Sequence, residues 1–204
     1  MNILLIGHSI IDHLEKSGKQ TINPGGIYYN SLGLSAVKSC NDEIYLLTNL
    51  TKKNFSLFEK PYSKVNKDYI TISDEMPEVI LKIFDDRERD EIYTNTSSNL
   101  PITIIDNWEK FNGILINMIT GFDISTDHIK MIRNNFNGLI YFDVLTLARG
   151  VDENLKREFR IIPEVEQWLI NIDILQCNEN ELHSIFDFNE ELSIVKKYLN
   201  FVRA

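Results

Sequence analysis

Residues 3–7 read Ile3-Leu4-Leu5-Ile6-Gly7, a short continuous apolar run closed by a glycine. A strand with one solvated face alternates apolar and polar residues, whereas one covered on both faces is apolar throughout. The run is therefore read as the central strand of a parallel sheet. Outward from it the pattern repeats. Residues 27–39, directly after Pro24-Gly25-Gly26, are helix-like, and Glu43-Ile44-Tyr45-Leu46-Leu47-Thr48 is strand-like, which closes a first β-α-β unit. Farther on, Gly113-Ile114-Leu115-Ile116-Asn117 and Gly138-Leu139-Ile140-Tyr141-Phe142-Asp143 read as strands around a helix from Ser125 to Phe136, with Ser125 as N-cap. Then come a short helix from Pro163 to Leu169, a strand Ile172-Asp173-Ile174-Leu175-Gln176 and a helix from Glu179 to Phe186. A last helix, Glu190 to Val202, carries an apolar stripe of Ile194, Tyr198, Phe201 and Val202. Strands alternating with helices predict an α/β fold, a mostly parallel sheet with helices on both faces.

Residues 68–95 have a different texture. Tyr69-Ile70-Thr71-Ile72 and Val79-Ile80-Leu81-Lys82-Ile83-Phe84, followed by a mixed charge run from Asp85 to Glu91 and by Ile92-Tyr93, predict antiparallel strands with the charges at a hairpin tip. This is expected to be a small sheet appended to the main one.

Bulk properties exclude several classes. With 204 residues, 43% hydrophobic and 25% charged, the chain can bury a substantial core, and no tract is polar or repetitive enough for disorder. The net charge of −9 is dispersed, which argues against a nucleic-acid surface, because phosphate binding needs clustered cations. Cys40 and Cys177 cannot build a disulfide framework. The start has no basic leader and only a short apolar run, so neither a signal peptide nor a membrane span is expected, and a cytoplasmic protein is the default.

Neither the P-loop pattern nor G-x-G-x-x-G is present. His8, His13, His128 and His183 are scattered without metal-binding spacing and read as surface or capping residues. Asp12 follows the first strand at the sheet edge where open parallel sheets bind ligands; its carboxylate could accept from two neighbouring hydroxyls or sit in a solvated loop. Pro24-Gly25-Gly26 runs into a helix, which permits a close backbone approach. Asn30 shares a face with Gly26 and Gly33 near that helix start, and its amide can donate to and accept from hydroxyls. Asn178 and Glu181 suit a capping-box start, which also puts an acidic group at the ligand edge, able to hold waters around a magnesium ion.

In this order, Gly7-x-x-x-x-Asp12, Pro24-Gly25-Gly26-Ile27-Tyr28-Tyr29-Asn30-Ser31 and Asp173-Ile174-Leu175-Gln176-Cys177-Asn178-Glu179-Asn180-Glu181 resemble the PfkB, or ribokinase-like, family of sugar and nucleoside kinases. The resemblance spans essentially the whole chain. It implies an ATP-dependent carbohydrate kinase. Asp12 and Asn30 would bind sugar hydroxyls, the Gly25 and Gly26 backbone would lie close to the sugar, and Asp143 and Arg149 would join them. Asn178 and Glu181 would belong to the network that positions magnesium and the triphosphate. Residues 68–95 with part of 13–23 would form the family's β lid, through which such proteins often dimerise. The partners implied are a sugar or nucleoside-like small molecule and a second subunit, with no nucleic acid and no membrane.

Two departures bear on function. Many sugar kinases carry Gly-Gly-Lys-Gly-Ala-Asn where this chain has Gly25-Gly26-Ile27-Tyr28-Tyr29-Asn30, which predicts a bulkier or less polar substrate than ribose. The family's catalytic Gly-Ala-Gly-Asp motif is missing, since no glycine follows Gly150. The expectation is one truncated domain over residues 1–204, with no catalytic aspartate of the family motif and no activity alone. A non-catalytic sugar-binding or oligomerisation module derived from such a kinase is the alternative. A third reading is an unrelated α/β enzyme using Asp12 with His8 or His13 as acid and base.

Overall fold

The chain's structure, a computed structural model, describes residues 1–87 and 89–185. The expected helix 190–202 and the residues Phe186 and Glu88 lie outside the described residues.

In chain order the elements are β1 (Asn2–Ile6), β2 (Ser9–Lys16), β3 (Lys19–Gly26), α1 (Ile27–Val37), β4 (Glu43–Leu50), α2 (Phe55–Tyr62), β5 (Ile70–Ile72), β6 (Glu78–Lys82), β7 (Asp90–Asn95) and β8 (Gly113–Asn117). There follow α3 (Thr126–Asn135), β9 (Leu139–Asp143), β10 (Arg149–Val151), β11 (Arg157–Phe159), α4 (Val165–Leu169), β12 (Ile174–Gln176) and α5 (Glu179–Ile185).

The main sheet has strand order β12-β9-β8-β1-β4-β5. All of its pairings are parallel, and β1 lies inside, with Leu4 opposite Tyr45 on one side and Ile114 on the other. The apolar run of β1 splits by pleat. Leu4 and Ile6 face one core with Ile129 and Ile132 of α3 and Trp168 of α4; Leu5 faces the other with Ile27 of α1 and Phe58 of α2. Each fully buried Leu or Ile here contributes roughly 1.5–3 kcal/mol. That two-sided burial is why alternation is missing from the sequence. The expected N-cap Ser125 accepts from the His128 N–H at 3.3 Å, and the His128 ring takes the N–H of Ser125 in return.

A second sheet, ordered β3-β2-β6-β7, forms the lid. The β2–β3 hairpin turns at Ser17 and Gly18, both at positive φ (50° and 75°), as a two-residue turn matching strand twist requires. Two expectations are corrected. Ile70–Ile72 is not a lid strand: it pairs parallel with β4 as the edge of the main sheet, Thr48 opposite Ile70. The lid is also not wholly antiparallel, because β2 pairs parallel with β6, Asp12 opposite Val79. The hairpin β10–β11 and the helix α2, with Pro61 inside it, were not anticipated.

Candidate active site

The lid strands rise from the carboxyl end of β1 and leave a cavity of about 280 Å³ against the main sheet. It is lined by Asp12, Gly26, Tyr29, Asn30, Asn117, Arg149 and others, at the small end of the range for ligand sites, about 300 Å³ and upward. Four of the residues singled out from sequence, Asp12, Gly26, Asn30 and Arg149, thus meet in one place.

Asp12 lies on β2, not in a loop. On a pleated strand its neighbours point the other way, and His13 accordingly leaves the cavity to pair with Glu78 at 2.9 Å. The Asp12 side chain is 9% exposed as a residue and accepts no hydrogen bond among the described residues. Burial pushes its carboxyl up to about 6, a rise that the nearby Arg89 and Arg157 charges only partly offset. Such a group is costly in the free protein and is satisfied when a donor arrives.

The glycine pair has a steric reason. A Cβ on Gly25 would stand 2.1 Å from an Asp12 carboxylate oxygen. Gly26, at φ 66° and ψ −132°, would place a Cβ 2.5 Å from the His8 carbonyl oxygen. Glycine therefore lets β3 pass behind the carboxylate and turn straight into α1. One turn into α1, Asn30 accepts from the Asn117 amide at 3.2 Å, and the Asn117 Oδ1 is buried without a partner. Asn117 was missed, although it ends an apolar strand at the same sheet edge as Asp143.

Arg149 belongs to a cluster that the sequence reading did not assemble. The buried Glu91 on β7 accepts from Arg89 Nε at 2.8 Å, from Arg149 at 3.3 Å and from Arg157. Burial raises the Glu91 carboxyl, but the Arg157 and Arg89 charges outweigh it and hold the group below the usual range. Arg157 also donates to the Tyr93 hydroxyl and to the Ile119 carbonyl at 3.2 Å.

Asp143, Asn178 and Glu181 lie apart from that wall, at the ends of β9 and β12. The Asn178 N–H donates to Glu181 at 2.9 Å and the Glu181 N–H donates to Asn178 Oδ1 at 2.9 Å, a complete capping box. Asp143 is pushed up to about 6, first by burial and then by the Glu181 charge.

His8 is corrected. It is fully buried, not at the surface, with Nδ1 3.0 Å from Asp123 and Nε2 3.1 Å from the Ser98 carbonyl. With His8 held there and His13 on the far face, neither imidazole reaches Asp12, which removes the acid–base reading. Cys40 and Cys177 are free. No group of three or more His, Cys, Asp or Glu able to hold a metal occurs among the described residues, and no described helix is long and apolar enough to cross a membrane.

No protein-family model matches the chain, and no curated protein matches it. Solved structures do. A pyrophosphate-dependent kinase in the ribokinase family, complexed with a pyrophosphate analog and myo-inositol, superposes with a TM-score of 0.79 at 16% identity, over 98% of this chain and 70% of that one. Arabidopsis thaliana ribokinase complexed with ribose and ATP gives 0.66 at 16%, over 98% and 68%. The Methanocaldococcus jannaschii nucleoside kinase, an archaeal member of the ribokinase family, gives 0.63 at 16%, over 98% and 67%. At such identities the likeness shows the fold: the chain has the ribokinase-like α/β architecture, a six-stranded parallel sheet with helices and a smaller second sheet.

Proposed function

We propose that this chain binds a sugar or related polyol in the cavity beneath the lid, as the acceptor-binding part of a ribokinase-like phosphotransferase. The observation that carries the reading is Asp12, a nearly buried carboxylate with no hydrogen-bond partner among the described residues, on the same wall as Asn30 and Asn117. A carboxylate accepts hydrogen bonds from two vicinal hydroxyls, and the two amides can donate and accept beside it. Structural relatives solved with ribose and with myo-inositol support that ligand class. Gly25 and Gly26 bring the backbone close, and Tyr29, 57% exposed at the rim, offers a face to an apolar ring edge. The domain reading, one acceptor-binding unit over residues 1–204 with a lid from β2, β3, β6 and β7, goes with it.

The like-charged pair of Asp143 and Glu181 suits a magnesium ion held largely through waters, since a dication would relieve the repulsion that raises Asp143. Bound there with a phosphate donor such as ATP, it would neutralise phosphate charge. The glycine-rich cradle that would hold the transferring phosphate is not formed by the described residues. We therefore assign this chain no transfer step. Asp12 positions the acceptor hydroxyls, Asn30 and Asn117 fix the ring, and the lid excludes water.

Calorimetry of the chain with ribose, myo-inositol and a nucleoside tests the reading. Saturable binding of at least one neutral polyol is expected, and binding of none would overturn it. Gly25→Ala should weaken that binding about tenfold or more, because the new Cβ must displace the Asp12 carboxylate. Affinity unchanged in this variant would remove Asp12 from the contact.

A further inference from the structure

The charge around the cavity does not balance for a neutral ligand. Three guanidiniums, Arg89, Arg149 and Arg157, share the wall with two carboxylates, Glu91 and Asp12. Glu91 is fully used as the common counter-ion of all three arginines. Asp12 offsets a second charge, so three guanidiniums face two carboxylates and one positive charge is left over. What is left is cationic, and it is poorly solvated. The Arg157 side chain is 6% exposed, and its Nε is buried with no partner. The Arg149 side chain is 20% exposed and makes a single hydrogen bond among the described residues, the 3.3 Å contact with Glu91. Its guanidinium lies over the Phe159 ring at 4.5 Å, a stacking that fixes the plane and keeps edge N–H groups available for a planar or tetrahedral anion.

Behind the same three arginines a second cavity adds Arg87 and Lys156 against Asp90 and Glu158, two charges of each sign, so the excess stays with the three arginines themselves. Hydroxyl groups cannot compensate a half-buried cation, whereas an anion can.

We propose that the acceptor is an acidic polyol, whose carboxylate or phosphate substituent seats on Arg149, backed by Arg157 and Arg89, while Asp12 takes its hydroxyls. This deepens the polyol reading and rests on it. The hairpin β10–β11, which supplies Arg149 and Arg157, then acts as the specificity element, and the lid strand β7 supplies the glutamate that orders it.

The test is calorimetry of the whole chain at fixed ionic strength with ribose, ribonate, ribose 5-phosphate, myo-inositol, myo-inositol 1-phosphate and inorganic phosphate. At least one acidic polyol should bind about tenfold or more tighter than its neutral parent, the loss expected when a desolvated charge goes unmatched. Ribonate against ribose 5-phosphate distinguishes carboxylate from phosphate. Arg149→Gln should reduce the acidic-over-neutral ratio to near unity. Arg149→Lys, which keeps the charge and serves where the glutamine variant folds poorly, should retain part of it. Equal affinity for neutral and acidic members sinks this inference and leaves the polyol reading standing. Binding of no polyol sinks both. Inorganic phosphate binding as tightly as the best acidic polyol, or a ratio unaffected by either variant, would separate the arginines from the acceptor and overturn the proposal.

Discussion

Asp12→Asn should make the ligand-free chain more stable at pH 7 while abolishing polyol binding. Both halves come from one physical fact. Burial lifts the Asp12 carboxyl from 3.8 to about 6. Between those values the folded state holds a proton that the unfolded state has released, so stability falls as pH rises through the interval. At neutral pH the ionised group therefore costs the fold on the order of 1–3 kcal/mol, with the upper end set by the full shift. An isosteric neutral amide removes that cost and still fits beside Gly25. For a chain of this length the gain corresponds to several degrees in Tm. The stability difference between variant and parent should shrink as pH falls from about 6 and vanish below about 4. Binding moves oppositely, because an amide cannot accept from two vicinal hydroxyls in the same geometry. Thermal melts across this range, with calorimetry alongside, read both effects. A variant less stable than the parent at pH 7 would recast Asp12 as a structural residue, and undiminished binding would exclude it from the acceptor site.

That trade of stability for an available acceptor is also what made Asp12 visible in sequence. A carboxylate just beyond a doubly buried strand, followed by two glycines ahead of a helix, stands out, but its local pattern suits a solvated loop as well, and only the ordered resemblance to the kinase family gave it a role. β1, β8 and β9 were legible from local pattern, since continuous apolar runs have few other homes. β5 was not. Ile70-Thr71-Ile72 has the same character in either sheet, and its place is set by the approach of Asn66 to Tyr45, which no pattern within the run encodes. β2 was obscured because Asp12, His13, Glu15 and Lys16 make it look like a polar loop, although the lid needs only part of each strand buried. The arginine cluster was least legible. Glu91 meets Arg149 and Arg157 across 58 and 66 residues, so only the folded topology brings them together. Asn178 and Glu181 show the converse: a local motif was read correctly as a capping box, and the box by itself says nothing about a phosphate.

Asp123→Asn should destabilise the chain strongly, by about 3–5 kcal/mol, the order of cost of taking one partner out of a buried, charged hydrogen-bond network. Asp123 is fully buried and accepts from the His8 N–H at 2.7 Å, the Thr120 N–H at 2.8 Å, the Gly121 N–H at 3.2 Å and the Thr120 hydroxyl at 3.0 Å, besides the His8 ring. Every neighbour is a donor or can act as one. An asparagine must turn its NH₂ toward part of that set, losing acceptors and opposing donor to donor. The damage would reach the site, because His8 Nε2 also hydrogen-bonds with the Ser97 hydroxyl at 2.8 Å and the Ser98 carbonyl at 3.1 Å, on the chain segment returning from β7, and it stands four residues before Asp12. This one carboxylate thus ties both ends of the lid to the main sheet. Burial raises its carboxyl, but the charge and hydrogen bonds of His8 and the backbone N–H groups outweigh that and hold it below its ordinary 3.8. A carboxyl depressed in the folded state stabilises above its unfolded value and stops doing so as pH falls through the folded one. The gap between parent and Asp123→Asn should therefore be full at neutral pH, roughly 10 °C in Tm, begin to narrow only below the ordinary 3.8 and close below the depressed folded-state value, the reverse of Asp12→Asn, whose advantage also fades in acid but with opposite sign. Melting within a degree or two of the parent at pH 7 would show that the lid is anchored elsewhere.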